Sequence, residues 1–147
     1  MADSTYRPLP IFAKLFTGVH RGLFRLSRGR IGGRFGKMPI LLLTTKGRKS
    51  GLARTTPLTY LLDGDDYVLI ASNGGKDWPP AWFGNLTAHP EGVVQLGSQK
   101  FRVTATVADA EQRRRLWPIV LERYPNYAGY EKKTTREIPL TILHRQA

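Results

Sequence analysis

Four cationic side chains lie close together in a short turn and at the start of the segment that follows it. Lys46, Arg48 and Lys49 lie in the turn. Ser50 follows them, and Arg54 begins the next apolar segment. Guanidinium groups and backbone amides suit the oxygen atoms of a phosphate group. A solvated surface turn is the plain alternative, but the added hydroxyl group and second guanidinium group favour an anion-binding corner that takes a phosphorylated ligand.

Aromatic side chains follow the next cluster of turn-forming residues. Trp78, Trp82 and Phe83 come shortly after the segment Ser72–Gly75. These rings either pack the core side of a short helix or form a wall against a planar ligand. Both interpretations place the three rings beside the end of an apolar strand.

Three tyrosines, Tyr124, Tyr127 and Tyr130, recur at three-residue intervals further along the chain. On a helical turn, residues with this spacing share one face. Each tyrosine offers an apolar ring together with a hydroxyl group, which suits a lid over a flat and partly polar substrate. Ordinary packing against the core is an equally good interpretation of the same spacing.

The remaining side chains do not form a recognisable catalytic or metal site. The chain has no cysteine, and His20, His89 and His144 are far apart and lack the spacing of metal ligands. Ser72 lacks the G-x-S-x-G context of a nucleophilic serine. Neither a Walker-type phosphate loop nor a dinucleotide-binding glycine motif after a strand is present. We therefore predict no metal site, and an enzyme of this kind would depend on a bound cofactor.

The positive charge is concentrated in the first third of the chain. The net charge is +12, and residues 1–54 contain twelve Lys or Arg side chains but a single acid, Asp3. Such a field attracts a polyanion, which could be a nucleic acid, an anionic membrane or a multiply charged small ligand. No apolar run approaches the roughly 20 residues that span a bilayer, and no signal-peptide pattern is present, so a cytoplasmic location is expected.

Helices are predicted from hydrophobic periodicity and capping residues. Residues 9–27 form an amphipathic helix, and the Gly-rich basic stretch 28–37 is a mobile linker or loop. A short helix runs from Pro79–Pro80 to about His89–Pro90. A second helix is capped by Asp109, with Gln112 completing a capping box, and ends near Tyr124. The segment with the three tyrosines is then predicted to be a loop.

Six strands are predicted, most of them joined by hairpins. They are 39–45, 54–62, 66–71, 92–97, 100–107 and a last strand with Ile138, Leu140 and Ile142. Because consecutive strands lack crossover helices, a doubly wound parallel sheet is disfavoured. The pattern is typical of an antiparallel β-barrel of the α+β class with decorating helices. We expect one domain over 1–147, in which 1–37 is a basic amphipathic N-terminal extension.

Five segments occur in the order and spacing of a known family. They read TTKGRKSGLARTTPL, ASNGG, PAWFGNL, YPNYAGY and REIPL. On these segments the chain resembles the deazaflavin-dependent nitroreductase family, the F420H2-dependent reductases of class A of the flavin/deazaflavin oxidoreductases. The resemblance covers nearly the whole chain from about Leu9. It implies a split antiparallel β-barrel of the FMN-binding split-barrel type with an N-terminal helix.

The resemblance also implies a cofactor, coenzyme F420, which is a deazaflavin with a phosphodiester and an oligoglutamate tail. By match to the family's motif, the phosphate lies at the cationic turn, and the ring lies between the strand end at Ser72 and the short helix. The implied cofactor-binding residues are Arg48, Lys49, Ser50, Arg54, Thr55, Thr56, Pro57, Leu58, Thr59, Ile70, Ala71, Ser72, Asn73, Ala81, Trp82, Phe83, Gly84, Asn85 and Tyr127. The basic N-terminal third would meet the glutamate tail.

The reaction implied by the resemblance is hydride transfer from C5 of the reduced deazaflavin to an electron-poor acceptor. Acceptors of the family include quinones, nitroaromatics such as nitroimidazoles, and α,β-unsaturated lactones and enones. On the substrate side lie Tyr124, Tyr127, Tyr130 and Thr59. Ser72 is our candidate catalytic residue, because its place at the end of the ring-side strand would let it polarise or protonate the acceptor.

Two residues depart from the family's pattern. Asn73 stands where the family's Lys-Gly-Gly segment has its lysine, and Thr59 stands where some relatives carry a tyrosine. The first departure bears on local anion contacts. The second opens the acceptor pocket and so bears on which acceptors are reduced.

Competing interpretations concern the cofactor and the partners. An FMN-binding split-barrel reductase is one alternative, and a basic nucleic-acid-binding module is another, although no nucleic-acid-binding signature is present. We expect a small-molecule acceptor and no nucleic acid. The N-terminal helix could contact an anionic membrane, cap the barrel or cover a second copy in a homodimer.

Overall fold

The computed structural model describes residues 34–35 and 38–146 of the chain. The predicted helix at 9–27 and most of the predicted loop at 28–37 lie outside the described residues. The strands are β1 (Arg34–Phe35), β2 (Met38–Lys46), β3 (Ala53–Asp63), β4 (Asp66–Ile70), β5 (Glu91–Leu96), β6 (Gln99–Val107) and β7 (Leu140–Arg145). The helices are α1 (Ala81–Ala88), α2 (Ala110–Arg123) and α3 (Asn126–Lys133), and a 3₁₀ turn covers Asn73–Gly75.

Six of these strands close into an antiparallel barrel. The order of neighbours is β2, β3, β4, β7, β6 and β5, and β5 pairs back with β2. The short β1 adds only two residue pairs to the start of β2. The predicted fold class, an antiparallel β-barrel of the α+β class with decorating helices, is confirmed.

The barrel is split along one part of β3. This strand has 11 residues, but β4 pairs only with its last four, from Tyr60 to Asp63. The first part, 53–59, pairs with β2 alone and leaves its other edge open. Pro57 lies in this part. Proline is tolerated there because the strand has a neighbour on one side only, so its missing N–H group does not interrupt pairing on both sides. The open edge provides one wall of a groove.

Two apolar clusters hold the barrel and its helices together. Inside the barrel, side chains from five strands pack with Trp82 and Leu86 of α1. On the outside, Leu116, Trp117 and Val120 of α2 and Tyr127 of α3 pack with residues of β4 and β7 in a second cluster. Helix α1 therefore closes one end of the barrel, while α2 and α3 form a second layer.

Three details of the sequence prediction were wrong. Part of the predicted loop at 28–37 forms β1. The predicted tyrosine loop is largely helix α3, which begins after Pro125, whose φ of −58° already suits a helix. Ile138 is buried but precedes β7, because its carbonyl accepts a bond from Arg113 Nε and Pro139 has no N–H group to donate to a ladder.

The predicted capping box of α2 is confirmed. The Gln112 N–H group donates to Asp109 Oδ1 at 2.8 Å, and the Asp109 N–H group donates to Gln112 Oε1 at 3.0 Å. Two N–H groups that the helix cannot satisfy by itself are thereby satisfied.

We expect Asp109→Ala to lower the free energy of unfolding by about 1 kcal/mol, because one of these N–H groups loses its side-chain partner. Urea denaturation followed by circular dichroism measures the change. Arg114→Ala, an exposed change in the middle of the same helix, is the matched control. Equal stability of the Asp109→Ala variant and wild type would contradict the role of the cap.

Candidate functional site

A continuous groove runs along the open edge of β3. It consists of two adjoining cavities of about 420 and 370 Å³, and Thr56 and Trp82 line both of them. The first cavity is lined by Gly47, Arg48, Lys49, Ser50, Arg54, Thr55, Thr56, Ala81, Trp82 and Asn85. The second is lined by Thr56, Pro57, Leu58, Thr59, Ile70, Ser72, Asn73, Gly74, Pro80, Trp82, Tyr127 and Tyr130.

The first cavity is the cationic end of the groove. Lys49 and Arg54 are exposed, and no acidic side chain lines this cavity among the described residues. The Gly47 N–H group donates to the Leu52 carbonyl at 2.8 Å, and the Leu52 N–H group donates to Ser50 Oγ at 3.1 Å. Ser50 thus accepts a bond that shapes the turn while its own hydroxyl proton stays available to an anion.

Arg48 has a different environment from the other cations of the corner. Its main-chain N–H group and its Nη1 atom both donate to Asn85 Oδ1 at 3.1 Å, and Nη1 also donates to the Ala81 carbonyl at 3.2 Å. Asn85 is 3% exposed, and its Nδ2 atom donates in turn to Thr45 Oγ1 of β2 at 3.1 Å. The pair therefore fastens the cationic turn to α1.

Gly84 makes this fastening possible. A Cβ atom at this position would lie 2.8 Å from the guanidinium carbon of Arg48, which is closer than carbon atoms approach one another. The guanidinium group thus packs directly on the helix backbone. Arg48, Gly84 and Asn85 were predicted as cofactor contacts, and the structure gives them a joint part in holding the corner against α1.

The second cavity is the more aromatic one. Trp82 lines both cavities and is 5% exposed, and its ring meets Phe83 edge to face with the centroids 6.2 Å apart. Tyr127 and Tyr130 line the far side of the cavity, with ring centroids 5.5 Å apart. Ser72 is 7% exposed, so it reaches the groove from an otherwise buried position.

Asn73 adopts a backbone conformation that few residues tolerate. Its φ is +49°, in the left-handed region where asparagine is enriched. Its Nδ2 atom donates to the Trp78 carbonyl at 3.0 Å. Asn73 therefore shapes the loop that follows β4, and it lines the second cavity.

Most of the predicted site residues lie together in this groove, and four do not line it. Ala71 is fully buried in the barrel core, and Phe83 lines a separate cavity of about 190 Å³ on the other side of α1. Gly84 lies beneath Arg48. Tyr124 is buried in the outer cluster, where its hydroxyl donates to the Tyr60 carbonyl at 2.8 Å.

The positions of Trp78 and Tyr124 decide between the alternatives that the sequence left open for the aromatic residues. Trp78 is 61% exposed and lines neither cavity, so it is not core packing. Tyr124 packs while Tyr127 and Tyr130 line the groove, so the three tyrosines divide between the two interpretations. Gly47, Gly74 and Pro80 also line the groove; sequence reasoning missed them because their side chains carry no chemical signal.

Burial raises the pKa of the Tyr127 hydroxyl to about 12, and the neighbouring Tyr130 and Tyr124 add to the rise while the Thr59 side chain opposes it. Tyr127 therefore presents a neutral phenol to the groove at physiological pH.

The described histidines have ordinary structural surroundings. His144 Nδ1 pairs with Asp66 Oδ1 at 2.9 Å, and its Nε2 atom lies 3.0 Å from Thr106 Oγ1. His20 lies outside the described residues. In the part of the chain that the structure covers, no three potential metal ligands gather in one place, and no helix is long and apolar enough to cross a membrane.

A split barrel whose groove carries cations at one end and aromatic rings at the other has the chemistry to accept a long, flat, anionic ligand. The family model described as F420H(2)-dependent quinone reductase matches residues 18–145, and the chain belongs to this family. The predicted family, the prediction of an F420-dependent reductase and the predicted cofactor, coenzyme F420, are thereby confirmed.

Individual relatives agree with this assignment. The chain is 42% identical over 132 residues to an F420H(2)-dependent quinone reductase of Mycobacterium tuberculosis, covering 87% of this chain and 89% of that protein. A solved F420-H2 dependent reductase (FDR-A) is 39% identical, with a TM-score of 0.65 over 72% of this chain and 94% of its own. Another solved chain, described as a domain-swapped dimer, is 35% identical, with a TM-score of 0.67 over 88% and 99%.

The raised pKa of Tyr127 predicts how stability depends on alkaline pH. Between pH 10 and about 12 the unfolded state loses the Tyr127 proton while the native state keeps it, so the free energy of unfolding falls as pH rises. We expect Tyr127→Phe to flatten this fall, as measured by urea denaturation at each pH. Tyr130→Phe, for which we expect the fall to persist, is the control. An unchanged profile for Tyr127→Phe would contradict the assignment.

Proposed function

We propose that this protein reduces quinones with reduced coenzyme F420, which it binds along the groove. One observation carries the proposal: the cationic corner and the aromatic cavity adjoin at Thr56 and Trp82, so a single ligand could reach both. F420 has the matching chemistry, because it joins a flat deazaflavin ring to a phosphodiester. Membership of the F420H2-dependent quinone reductase family supports the same cofactor.

The cationic corner would hold the phosphate group. Lys49 and Arg54 are exposed there, Ser50 can donate its hydroxyl proton, and no acid opposes them among the described lining residues. Arg48 contributes positive charge from its fixed place on α1. The sequence of the first 37 residues contains further basic side chains that would suit the glutamate tail.

The second cavity would hold the ring and leave room for the acceptor. The open edge of β3 offers Pro57 and Leu58 as an apolar surface, and Trp82 lines the side that adjoins the first cavity. Thr59 also lines this cavity, and its side chain, smaller than a tyrosine, would leave room for the acceptor there. The predicted contacts at Thr55, Ile70 and Asn73 belong to the same groove, whereas Ala71 and Phe83 would act from behind it.

Reduced F420, when bound, would supply the hydride, and a proton from solvent would complete the conversion of the quinone to a hydroquinone. The residues of the chain orient the two partners and limit the access of water. Tyr127 and Tyr130 would lie against the acceptor, and the neutral Tyr127 phenol can donate a hydrogen bond to an acceptor oxygen. Ser72 would donate to the developing negative charge on the acceptor.

Further acceptors and partners are proposed on the sequence resemblance. Nitroaromatics, α,β-unsaturated lactones and enones share the electron-poor character of quinones, and the small side chain of Thr59 would leave room for bulky ones. We also propose a single split-barrel domain over 1–147 with 1–37 as an extension, in a cytoplasmic protein.

We further propose a homodimer and membrane contact through the N-terminal helix. Sedimentation of the protein alone measures the oligomeric state, and cosedimentation with anionic liposomes measures membrane contact.

A fluorescence titration of the purified full chain tests the cofactor proposal. We expect saturable binding of F420 at micromolar or lower concentration, weaker binding of FMN, and a loss of about 1.5–3 kcal/mol of F420 binding on Lys49→Ala or Arg54→Ala, since each removes a charge-assisted bond. Arg114→Ala, which removes an exposed cation of α2 that lines neither cavity, is the control. Preference for FMN, or salt-sensitive binding of DNA without binding of F420, would contradict the proposal.

Single-turnover reduction of a water-soluble naphthoquinone tests Ser72. At saturating cofactor and quinone, we expect Ser72→Ala to slow the step at least about tenfold, because a hydrogen bond to the developing charge is lost. Ser98→Ala, an exposed serine in the β5–β6 turn, is the matched control. A full rate for Ser72→Ala would remove Ser72 from the mechanism.

A further inference from the structure

We propose that Arg136 is a positioning residue for the second cavity. It holds the loop at 71–78 in the shape that presents Ser72 and Asn73 to the groove. This inference rests on the proposed function, because it assigns a role toward the same reaction. Arg136 lies in the closing segment REIPL, and no sequence pattern assigns it a role.

The guanidinium group of Arg136 bonds to four main-chain carbonyls of one loop. Its Nη2 atom donates to the carbonyls of Ala71 at 3.1 Å, Ser72 at 3.0 Å and Trp78 at 3.3 Å. Its Nε atom donates to the carbonyl of Lys76 at 3.0 Å. Both ends of the loop are therefore held by one side chain.

The same loop is held from a second side by the residues around the end of α3. Thr134 Oγ1 donates to Asp77 Oδ1 at 2.9 Å and accepts a bond from the Arg136 N–H group at 3.3 Å. Gly75 has a φ of +84°, and a Cβ atom there would lie 2.9 Å from the Tyr130 carbonyl oxygen. The loop thus packs against the helix that carries the groove tyrosines, and its position and that of Tyr130 depend on each other.

This set of bonds suits an arginine. Its Nε and Nη2 atoms present three N–H groups in fixed directions in one plane and share them among four carbonyls, whereas a lysine ammonium has its three N–H groups on one nitrogen at the end of a flexible stem. Within the described part of the chain, no carboxylate forms an ion pair with Arg136, so its charge faces carbonyl oxygens. Charge-assisted bonds of this kind are stronger than neutral ones and suit a loop with little regular structure.

Loss of Arg136 should disturb the second cavity and leave the cationic corner unchanged. Ser72 and Asn73 line the second cavity, and their carbonyl groups accept hydrogen bonds within the loop that Arg136 holds. Displacement of reacting groups by about 1 Å can cost a factor of about 100 in rate. Loss of Arg136 should therefore slow hydride transfer far more than it weakens the binding of the cofactor at Lys49 and Arg54.

Hydrogen exchange on the full chain without cofactor provides a readout that does not depend on activity. In Arg136→Ala we expect the Gly75 and Lys76 amides, which donate within the loop, to exchange about tenfold faster or more, as expected for local opening. We expect amides of β4 and β6 to exchange as in wild type. Arg114→Ala, which also removes one guanidinium group, is the control.

Kinetics and chemical rescue complete the test. In Arg136→Ala we expect single-turnover quinone reduction at saturating F420H2 to fall at least about tenfold, while the dissociation constant of F420 rises less than about fivefold. Millimolar guanidinium chloride should restore much of the rate of Arg136→Ala by occupying the place of the missing side chain. The Arg136→Lys variant should remain slow. The low-millimolar range is far below denaturing concentrations.

The outcomes separate this inference from the proposed function. If wild type does not bind F420, the proposed function fails whatever the exchange data show. If wild type is active, three results overturn the inference: an unchanged loop in Arg136→Ala, a loosened loop with a normal rate, or faster exchange throughout the barrel. Local loosening, a slow step and rescue by guanidinium together support it.

Discussion

The groove exists because β3 extends beyond β4. A closed barrel satisfies the edges of its strands, but here the first part of β3 pairs with β2 alone, and β4 joins only at Tyr60. The chain cannot continue β4 alongside this edge, since it turns away after Ile70 into the loop at 71–78 and then into α1. An open backbone edge beside a helix and a loop leaves a long cleft whose walls belong to rigid elements. Everything proposed for the site depends on this mismatch in strand length.

The two ends of the cleft are organised by different physical means. At the cationic end, the buried side-chain amide of Asn85 joins the cationic turn to α1. The backbone near Lys49 and Arg54 is thereby held in place. At the aromatic end, one guanidinium group holds a loop by its carbonyl oxygens. Both devices use an arginine to order the backbone. In this way the chain separates residues that would touch a ligand from residues that keep those in place.

Much of this arrangement could be predicted from the sequence, because it is recorded in local patterns. Alternating apolar residues predicted the barrel strands, Asp109 and Gln112 predicted the start of α2, and the cationic turn predicted the concentration of cations at one end of the groove. The resemblance brought Trp82 and the strand through Pro57 into the same site. These features are carried by residues close together in the chain or by motifs in a fixed order.

What the sequence could not predict depends on contacts between distant residues. Arg136 reaches a loop about sixty positions earlier, and no local pattern indicates such a bond. Arg48 looks like an ordinary phosphate ligand until Asn85, 37 positions away, is seen to accept its N–H groups. Tyr124 shares the spacing of its neighbours, but only the packing of α2 on the barrel turns its hydroxyl group toward the Tyr60 carbonyl.

A crystal structure of the full chain with bound F420 would test the central claim most directly. The account predicts that the phosphate group contacts Lys49, Ser50 and Arg54, and that the ring lies along β3 beside Trp82, with its reactive edge toward Ser72. A phosphate bound elsewhere, or a ring outside the groove along the open edge of β3, would contradict it.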